Sequence, residues 1–386
     1  MKIKKNIIIM YAIALLQGMV FYGAIATLYR QAVGVSVFQI TIIESISLAL
    51  ALALELPCGI LAEKIGYKNT MIFSCLIYFI SKLVFWQANG FGMFLMERIM
   101  LSFVMAGMSG VDASILYLSS KKEDAHKVFG IYSSLQTVGL MLASAIYSVF
   151  MHGNYRMAAL ATVIAYGVAT VLVFFIQEVR SAESKTEPLV SEFLYILKDT
   201  WKRKELFLFL IGIALFSECH QTITVFLNQL QYMRAGMTNQ SIGWAYVVMT
   251  AAGLLGVKSA SIAKRIGKRK AGILFFAIAI VSCLIITITE ISWLSVLAVI
   301  LLRVTFSMMM PLVQTIQNEQ VTHKNRATAL SINAVIMDGV AISTNLILGK
   351  ATDISLPLAF QICVSFCVVG MLLFFYSTGK MKKRYL

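Results

Sequence analysis

Long apolar stretches separated by short polar segments fill almost the whole chain. Each stretch holds about 20 residues, the length that a helix needs to cross the hydrocarbon core of a bilayer. The first stretch continues without a small-residue cleavage site, so we expect it to be a retained helix and not a signal peptide. The pattern predicts twelve membrane helices, which we number as spans one to twelve: 7–29, 38–61, 69–87, 92–118, 127–150, 155–177, 206–230, 240–262, 271–290, 294–317, 326–349 and 356–377.

The composition agrees with an all-α membrane protein. Of the 386 residues, 59% are hydrophobic and 13% are charged, whereas a soluble domain has about 45–50% apolar and about 25% charged residues. The mean hydropathy is +0.82. One water-soluble core cannot bury this much apolar side chain, so soluble classes of protein are excluded.

The formal net charge of +15 points to membrane topology and not to nucleic acid, because the basic residues lie in short gaps between spans. Most of the basic residues fall on one side of the predicted membrane. The loops on the other side hold only Arg30, Arg156, Arg234 and Lys350. Since segments rich in Lys and Arg stay in the cytoplasm, we expect both termini there, with lipids as partners.

The cysteines indicate no metal or redox site. All of them lie within apolar spans, and none has the spacing of a zinc site or a disulfide framework. We therefore expect no metal and no cofactor. The six residues are Cys58, Cys75, Cys219, Cys283, Cys363 and Cys367.

A pattern recurs along the chain at an offset of about 200 residues. The loop Gly59-Ile-Leu-Ala-Glu63-Lys64-Ile-Gly66-Tyr67-Lys68 after span two returns as Ala260-Ser-Ile-Ala-Lys264-Arg265-Ile-Gly267-Lys268-Arg269 after span eight. Arg98-x-x-x-Ser102 in span four returns as Arg303-x-x-x-Ser307 in span ten. Lys127 and Arg326 open spans five and eleven.

Three matches at nearly one offset predict two six-helix bundles of parallel topology, a common construction in secondary transporters. We place the bundles at 1–177 and 206–386. The segment 178–205 is a polar linker on the cytoplasmic side, with an amphipathic surface helix from Ser191 to Arg203.

The repeated residues resemble the motifs of the major facilitator superfamily. The loop 59–68 is similar to the signature G-x-x-x-D-R-x-G-R-[KR], with Tyr67 in place of an Arg. Arg98-x-x-x-Ser102 is similar to the R-x-x-x-G motif of fourth helices, and Ser109-Gly110-x-Asp112-Ala113 to a variant in bacterial members. The resemblance implies a monomeric transporter of a bacterial cell membrane. Such a protein carries a small molecule between its two halves by alternating access.

Ionisable residues within the spans are the candidates for function, because a charge in hydrocarbon normally faces a cavity or a partner. Glu218 in span seven and Asp338 in span eleven lie near the predicted midplane, where burial favours a protonated carboxyl. We expect them to carry a coupling proton. His220 is a candidate cavity residue, although a packing role is equally consistent with its position. No second ligand makes it a metal site.

The resemblance places spans four and ten beside the cavity. It thereby implies cavity roles for Arg98, Asp112 and Arg303. Glu44 and Lys82 lie at matching depths near the outer surface, so we expect them to pair as an outer gate.

The loop signature is expected to act as a conformational latch. Gly59 and Gly66 shape it, Lys64 and Lys68 reach lipid and inner carboxylates, and Glu63 meets a helix N-terminus. The resemblance puts that N-terminus at span eleven, near Asn325 and Arg326.

Proton-coupled efflux of amphipathic, drug-like compounds is the leading hypothesis. Uptake of a sugar, organic anion or peptide-like metabolite is the alternative, since span five reads Gly139-Leu-Met-Leu-Ala143 and lacks the G-P-x-x-G-G signature of drug/proton antiporters. A polytopic enzyme or a transporter-like sensor is a remote alternative. The spans hold no catalytic pair such as H-E-x-x-H, so we expect no enzymatic activity.

Overall fold

The computed structural model describes residues 2–121, 124–151, 153–179, 197–321 and 326–381, and these residues form helices without any strand. Twelve of the described helical segments are long and apolar enough to cross a membrane. The predicted number of spans and the all-helical fold are confirmed. Spans one to six comprise Lys2–Gly18 with Gly23–Ile25 and Ala26–Ala32; Val37–Ile65; Tyr67–Gln87; Phe91–Met108 with Val111–Leu118; Ala125–Ile146 with Tyr147–Met151; and Tyr155–Val173. Spans seven to twelve comprise Lys204–Gln221 with Thr222–Leu227 and Asn228–Arg234; Asn239–Ala252 with Gly253–Lys258 and Ser259–Ile266; Lys268–Ile288; Ser292–Gln320; Arg326–Ile354; and Leu356–Lys380.

The helices pack into two compact units. The first unit contains Met1–Ser184 and Thr238–Val247, and the second contains Lys185–Met237 and Val248–Leu386. The two parts of span eight are thus assigned to different units. The predicted linker falls largely on 180–196, which lie outside the described residues, and its last part, 197–202, is helical.

Each unit has its own packing centre. In the first unit, span four packs against spans two and three, and span one packs against spans five and six. In the second unit, span twelve packs against spans seven and nine, and span seven also contacts spans ten and eleven. This arrangement brings the ionisable residues of spans two, three and four together in one unit, and those of spans seven, ten and eleven together in the other.

The repeated glycines end one span and begin the next. Gly66 has a φ of 91° between spans two and three, and Gly267 has a φ of 86° between spans eight and nine. Residues with a Cβ rarely adopt this conformation. The same sharp turn therefore occurs at equivalent places in both halves, as the sequence repeat predicts.

Several spans are irregular. Span one is interrupted after Gly18, and side chains of span six satisfy the freed backbone groups. Tyr166 donates its hydroxyl hydrogen to the carbonyl of Gln17 at 2.5 Å, and the Phe21 N–H donates to Thr162 Oγ1 at 3.0 Å. Spans five and seven contain π-helical turns at Tyr147–Met151 and Thr222–Leu227. Such turns are frequent at functional sites.

Candidate functional site

Glu218 lies one turn before the π-helical turn of span seven. Only 9% of the residue is exposed, and its Oε2 atom has no hydrogen-bond partner among the described residues. Asp338, on the neighbouring span eleven, is close enough to act electrostatically on Glu218. The structure therefore brings together the two carboxylates that the sequence singled out separately.

His220 is directed towards span ten. Its ring stacks on Phe306 with the centroids 3.7 Å apart and an angle of 3° between the planes. Its Nε2 atom lies 3.4 Å from Thr224 Oγ1, and Arg303 is close enough to act on it electrostatically. The Nδ1 atom is buried and has no hydrogen-bond partner among the described residues. His220 and Arg303 thus share one environment, beside an aromatic ring.

Arg303 and Ser307 face the irregular part of span eight. A Cβ atom on Gly253 would lie 2.9 Å from Arg303 Nε, and one on Gly256 would lie 2.7 Å from the Ser307 carbonyl oxygen. Both glycines belong to the 3-10 segment Gly253–Lys258. The Arg-x-x-x-Ser motif of the second half therefore packs closely against span eight, because glycine places no side chain between the two helices.

The first-half copy of this motif makes polar contacts instead. Arg98 forms an ion pair with Glu44 on span two. One turn further along, the hydroxyls of Ser102 and Ser47 lie 2.9 Å apart, and Ser47 Oγ donates to the Arg98 carbonyl at 3.2 Å. In both halves the motif thus joins the fourth helix of the bundle to the second.

The expected pairing of Glu44 with Lys82 is wrong. Lys82 Nζ lies 3.1 Å from Glu97 Oε1, and Glu44 pairs with Arg98. The physical reason is that spans two and three both pack mainly on span four. Adjacent residues of a helix point about 100° apart, so Glu97 faces span three while Arg98 faces span two.

Arg30 completes this charged cluster, and the sequence did not predict its place there. We expected it in an outer loop, but only 4% of it is exposed. Its guanidinium carbon lies 5.6 Å from the ring centroids of both Phe85 and Phe94. Arg98, Glu44 and Glu97 all act on it electrostatically. The hydropathy pattern could not predict this burial, because Arg30 directly follows an apolar span, where a basic residue normally begins a loop.

Asp112 lies where span four is interrupted. It follows Gly110, whose φ is 78°, and stands in the first turn of Val111–Leu118. Its carboxylate accepts the Ala113 N–H at 2.7 Å and the hydroxyl of Tyr132 on span five at 3.3 Å. These contacts fix the break in span four to span five.

Glu178, which no sequence motif marks, contacts the loop signature. The Lys68 N–H donates to Glu178 Oε1 at 3.4 Å, and a Cβ atom on Gly66 would lie 2.7 Å from Glu178 Oε2. The carboxylate of Glu178 therefore stands at the N-terminus of span three. In the second half Lys268 forms an ion pair with Glu319.

The other residues of the signature leave the latch prediction open. Glu63, Lys64 and Gly59 are exposed. Of the expected partners of Glu63, Asn325 lies outside the described residues, and so does the side chain of Arg326.

A cavity of about 510 Å³ lies along one face of span five. Its wall is mainly apolar, with one hydroxyl and one cation. The lining residues are Lys127, Gly130, Ile131, Ser134, Leu135 and Val138. Among the described residues, no group of three or more His, Cys, Asp or Glu side chains could hold a metal ion.

The fold and the sequence motifs together define the class of protein. The family model described as Major Facilitator Superfamily matches residues 7–345. The chain therefore belongs to this superfamily of membrane transporters, as the motif resemblance implied.

Solved structures of transporters have the same fold. The nucleoside transporter NupG superposes with a TM-score of 0.82, at 15% identity, over 99% of this chain and 100% of that chain. A point mutant of NupG gives 0.85 at 14% identity, over 96% and 99%. A bacterial homologue of the human lysosomal transporter Spinster gives 0.73 at 15% identity, over 99% and 97%. No curated protein matches the chain significantly in sequence. At these identities the likeness shows the fold alone.

Proposed function

We propose that this transporter couples the movement of a small organic molecule to protons, and that Glu218 and Asp338 share the coupling proton. The observation that carries the proposal is the juxtaposition of the two carboxylates. Glu218 is buried, its Oε2 has no hydrogen-bond partner among the described residues, and Asp338 acts on it electrostatically.

Two neighbouring carboxyl groups away from water resist being ionised together. Binding a proton removes one negative charge from the pair, and releasing it restores the charge. A neutral pair has a smaller desolvation penalty, so it can remain in a closed site where an ionised pair would resist closure. A cycle of alternating access that exposes the pair first to one side of the membrane and then to the other would thereby carry a proton with each turnover.

Amphipathic, drug-like compounds leaving the cell are the cargo that we favour. The cavity on span five supports this choice, because it combines an apolar wall with Ser134 and the single cation Lys127. An amphipathic molecule could bury its apolar body against Ile131 and Val138 and keep a polar group near either end. Apolar sites with a few polar groups are typical of small-molecule binding.

Uptake of a polar metabolite is the second candidate. The structural likeness to a nucleoside transporter favours it, and span seven buries Asn228 and Gln229 close to its π-helical turn. Amide side chains bind hydroxylated or heterocyclic compounds better than they bind apolar ones.

Transport in proteoliposomes with an imposed pH gradient tests the proposal. The probes are a fluorescent anionic amphipathic dye and a radiolabelled nucleoside, and the direction of accumulation relative to the gradient separates antiport from symport. Glu218→Gln should abolish gradient-driven accumulation and retain exchange without a gradient. Glu290→Gln, which alters a carboxylate paired with Arg234, is the matched control and should keep both activities.

Three outcomes would change the assignment. Full gradient-driven transport by Glu218→Gln would refute it, and loss of coupling in Asp338→Asn alone would move the role to Asp338. If neither variant differs from wild type, the protein is not driven by protons through this pair.

We place the protein as a monomer in a bacterial cell membrane with both termini in the cytoplasm, and the basic residues Lys64 and Lys68 near anionic lipid headgroups. The pair Lys82 and Glu97 and the pair Glu44 and Arg98 would stabilise the outer end of the first unit as part of a gate.

A further inference from the structure

Among the described residues, Arg30 is a buried cation without a carboxylate of its own. Only 4% of the residue is exposed, and its Nε atom has no hydrogen-bond partner in the described part of the chain. The salt bridges formed by the described residues do not include it. A buried charge is normally paired, because removing one from water without a partner is unfavourable.

The charges around Arg30 do not balance. The cluster contains three cations and two carboxylates. Glu44 is engaged by Arg98 and one oxygen of Glu97 by Lys82, while Oε2 of Glu97 has no hydrogen-bond partner among the described residues. The cluster therefore keeps one positive charge in excess when all five groups are ionised, and the excess lies on the group that lacks an ion pair.

The immediate surroundings of Arg30 compensate this charge only in part. The rings of Phe85 and Phe94 each lie 5.6 Å from the guanidinium carbon, and aromatic faces attract cations more weakly than a carboxylate does. Arg98 is close enough to repel Arg30. Glu44 and Glu97 attract Arg30, but each of them already forms an ion pair with another cation. A further anion beside Arg30 and Arg98 would balance the remaining positive charge.

Arg98 also has an N–H group that donates no hydrogen bond to the described residues. Its Nε atom is buried without a hydrogen-bond partner among the described residues, while 22% of its side chain is exposed. The cluster is thus accessible from outside the packed unit through Arg98. A guanidinium group presents its N–H donors in a fixed plane that suits carboxylates and other small anions.

We propose that Arg30 and Arg98 bind a small monovalent anion at the end of the first unit where span one meets spans two and four. The anion is either a halide or the carboxylate group of a small molecule, since both supply one negative charge to the same donors. This site lies in the first unit and does not depend on the proton-coupling role of Glu218 and Asp338.

Thermal unfolding of the purified full chain in detergent tests the site. Sodium isethionate, a bulkier sulfonate, holds the ionic strength constant while chloride or acetate replaces it. A ligand that binds the folded state raises the melting temperature with its concentration. We expect the melting temperature of the wild type to rise with the concentration of at least one of the two anions. A rise with chloride identifies the ligand as a halide, and a rise with acetate identifies it as a carboxylate.

Arg30→Gln should remove this dependence. In isethionate alone the variant should melt at or above the wild-type temperature, because the uncompensated charge is gone. In concentrated chloride or acetate it should melt below the wild type. Arg234→Gln, which alters an arginine with its own partner Glu290 at 2.9 Å, is the control and should keep the wild-type anion response.

Direct binding of radiolabelled chloride or acetate to the wild type provides a readout that needs no variant. An absence of both anion-dependent stabilisation and binding in the wild type would overturn the proposal. An unchanged response in a folded Arg30→Gln variant would overturn it as well.

Discussion

The carboxylate of Glu178 lies against Gly66, at the point where span two turns into span three. The N–H of Lys68 donates to Glu178 Oε1 at 3.4 Å, and no Cβ atom could occupy the space at Gly66 without meeting Glu178 Oε2 at 2.7 Å. An acid near a helix N-terminus is stabilising by about 0.3–1 kcal/mol. The segment that follows span six thereby holds the signature loop of the first half.

Gly66→Ala should destabilise the protein by about 1–3 kcal/mol, because the new methyl group contacts Glu178 and the φ of 91° is unfavourable for alanine. Thermal unfolding in detergent measures the effect. Gly59→Ala is the control. Gly59 lies in a helix, and a Cβ atom added there would meet no other atom within 4 Å, so the change should be neutral or stabilise by up to about 1 kcal/mol. Equal behaviour of the two variants would contradict this account.

Glu97→Gln should destabilise the first unit by about 3–5 kcal/mol, because it leaves the buried ammonium group of Lys82 without its ion partner. Lys82 and Glu97 have only 5% and 2% of their side chains exposed. Adding Lys82→Met to Glu97→Gln should recover much of the loss. The double-mutant comparison by denaturant or thermal unfolding measures the coupling, and strictly additive effects would show that the pair is not coupled.

The exposed pair Arg234 and Glu290 serves as the comparison for that experiment. Its side chains are 26% and 67% exposed, and pairs in contact with water contribute about 0–1 kcal/mol. Glu290→Gln should therefore change stability by less than about 1 kcal/mol.

Gly139→Ala should destabilise the first unit, because the new Cβ atom would overlap the Leu15 carbonyl oxygen of span one. Overpacking of this kind costs about 1–3 kcal/mol. Gly92→Ala, in span four with nothing near its Cβ position, is the matched control. Thermal unfolding of the two variants should separate them, and an unaltered Gly139→Ala protein would show that spans one and five can move apart without loss.

The orientation in the membrane is predicted from the distribution of basic residues. A cysteine placed at Arg156 should react with a membrane-impermeant thiol reagent in intact cells. One placed at Lys121 should react only after the membrane is opened. Both are introduced into a background in which Cys58 is replaced by Ser, because Cys58 is half-buried and the other cysteines are buried. The opposite labelling pattern would invert the predicted topology.

The sequence predicted the features that depend on hydropathy and local pattern. The number of spans, the repeated turn at Gly66 and Gly267 and the family all follow from apolar length and short motifs. These properties are local, so they can be recognised without knowing which helices touch.

The features that depend on packing could not be predicted in this way. Glu44 and Lys82 lie at matching depths, but depth does not specify which helices are neighbours. Span two, with Glu44, and span three, with Lys82, both pack mainly against span four. Arg30 follows an apolar stretch, a position typical of a loop residue, while the structure buries it beside Phe85 and Phe94. Glu178 lies in a polar segment that carries no motif.

The π-helical turn at Thr222–Leu227 has a consequence for how span seven can vary between relatives. A π-helical turn holds about one residue more than an α-helical turn and covers nearly the same rotation. Loss of one residue here would therefore restore an α-helical turn and leave Asn228, Gln229 and Gln231 on the same face of the helix relative to Glu218. A single-codon deletion could thus shorten span seven without changing which side chains share a face. Alignments of relatives across this segment should therefore be made with a gap allowed inside the span.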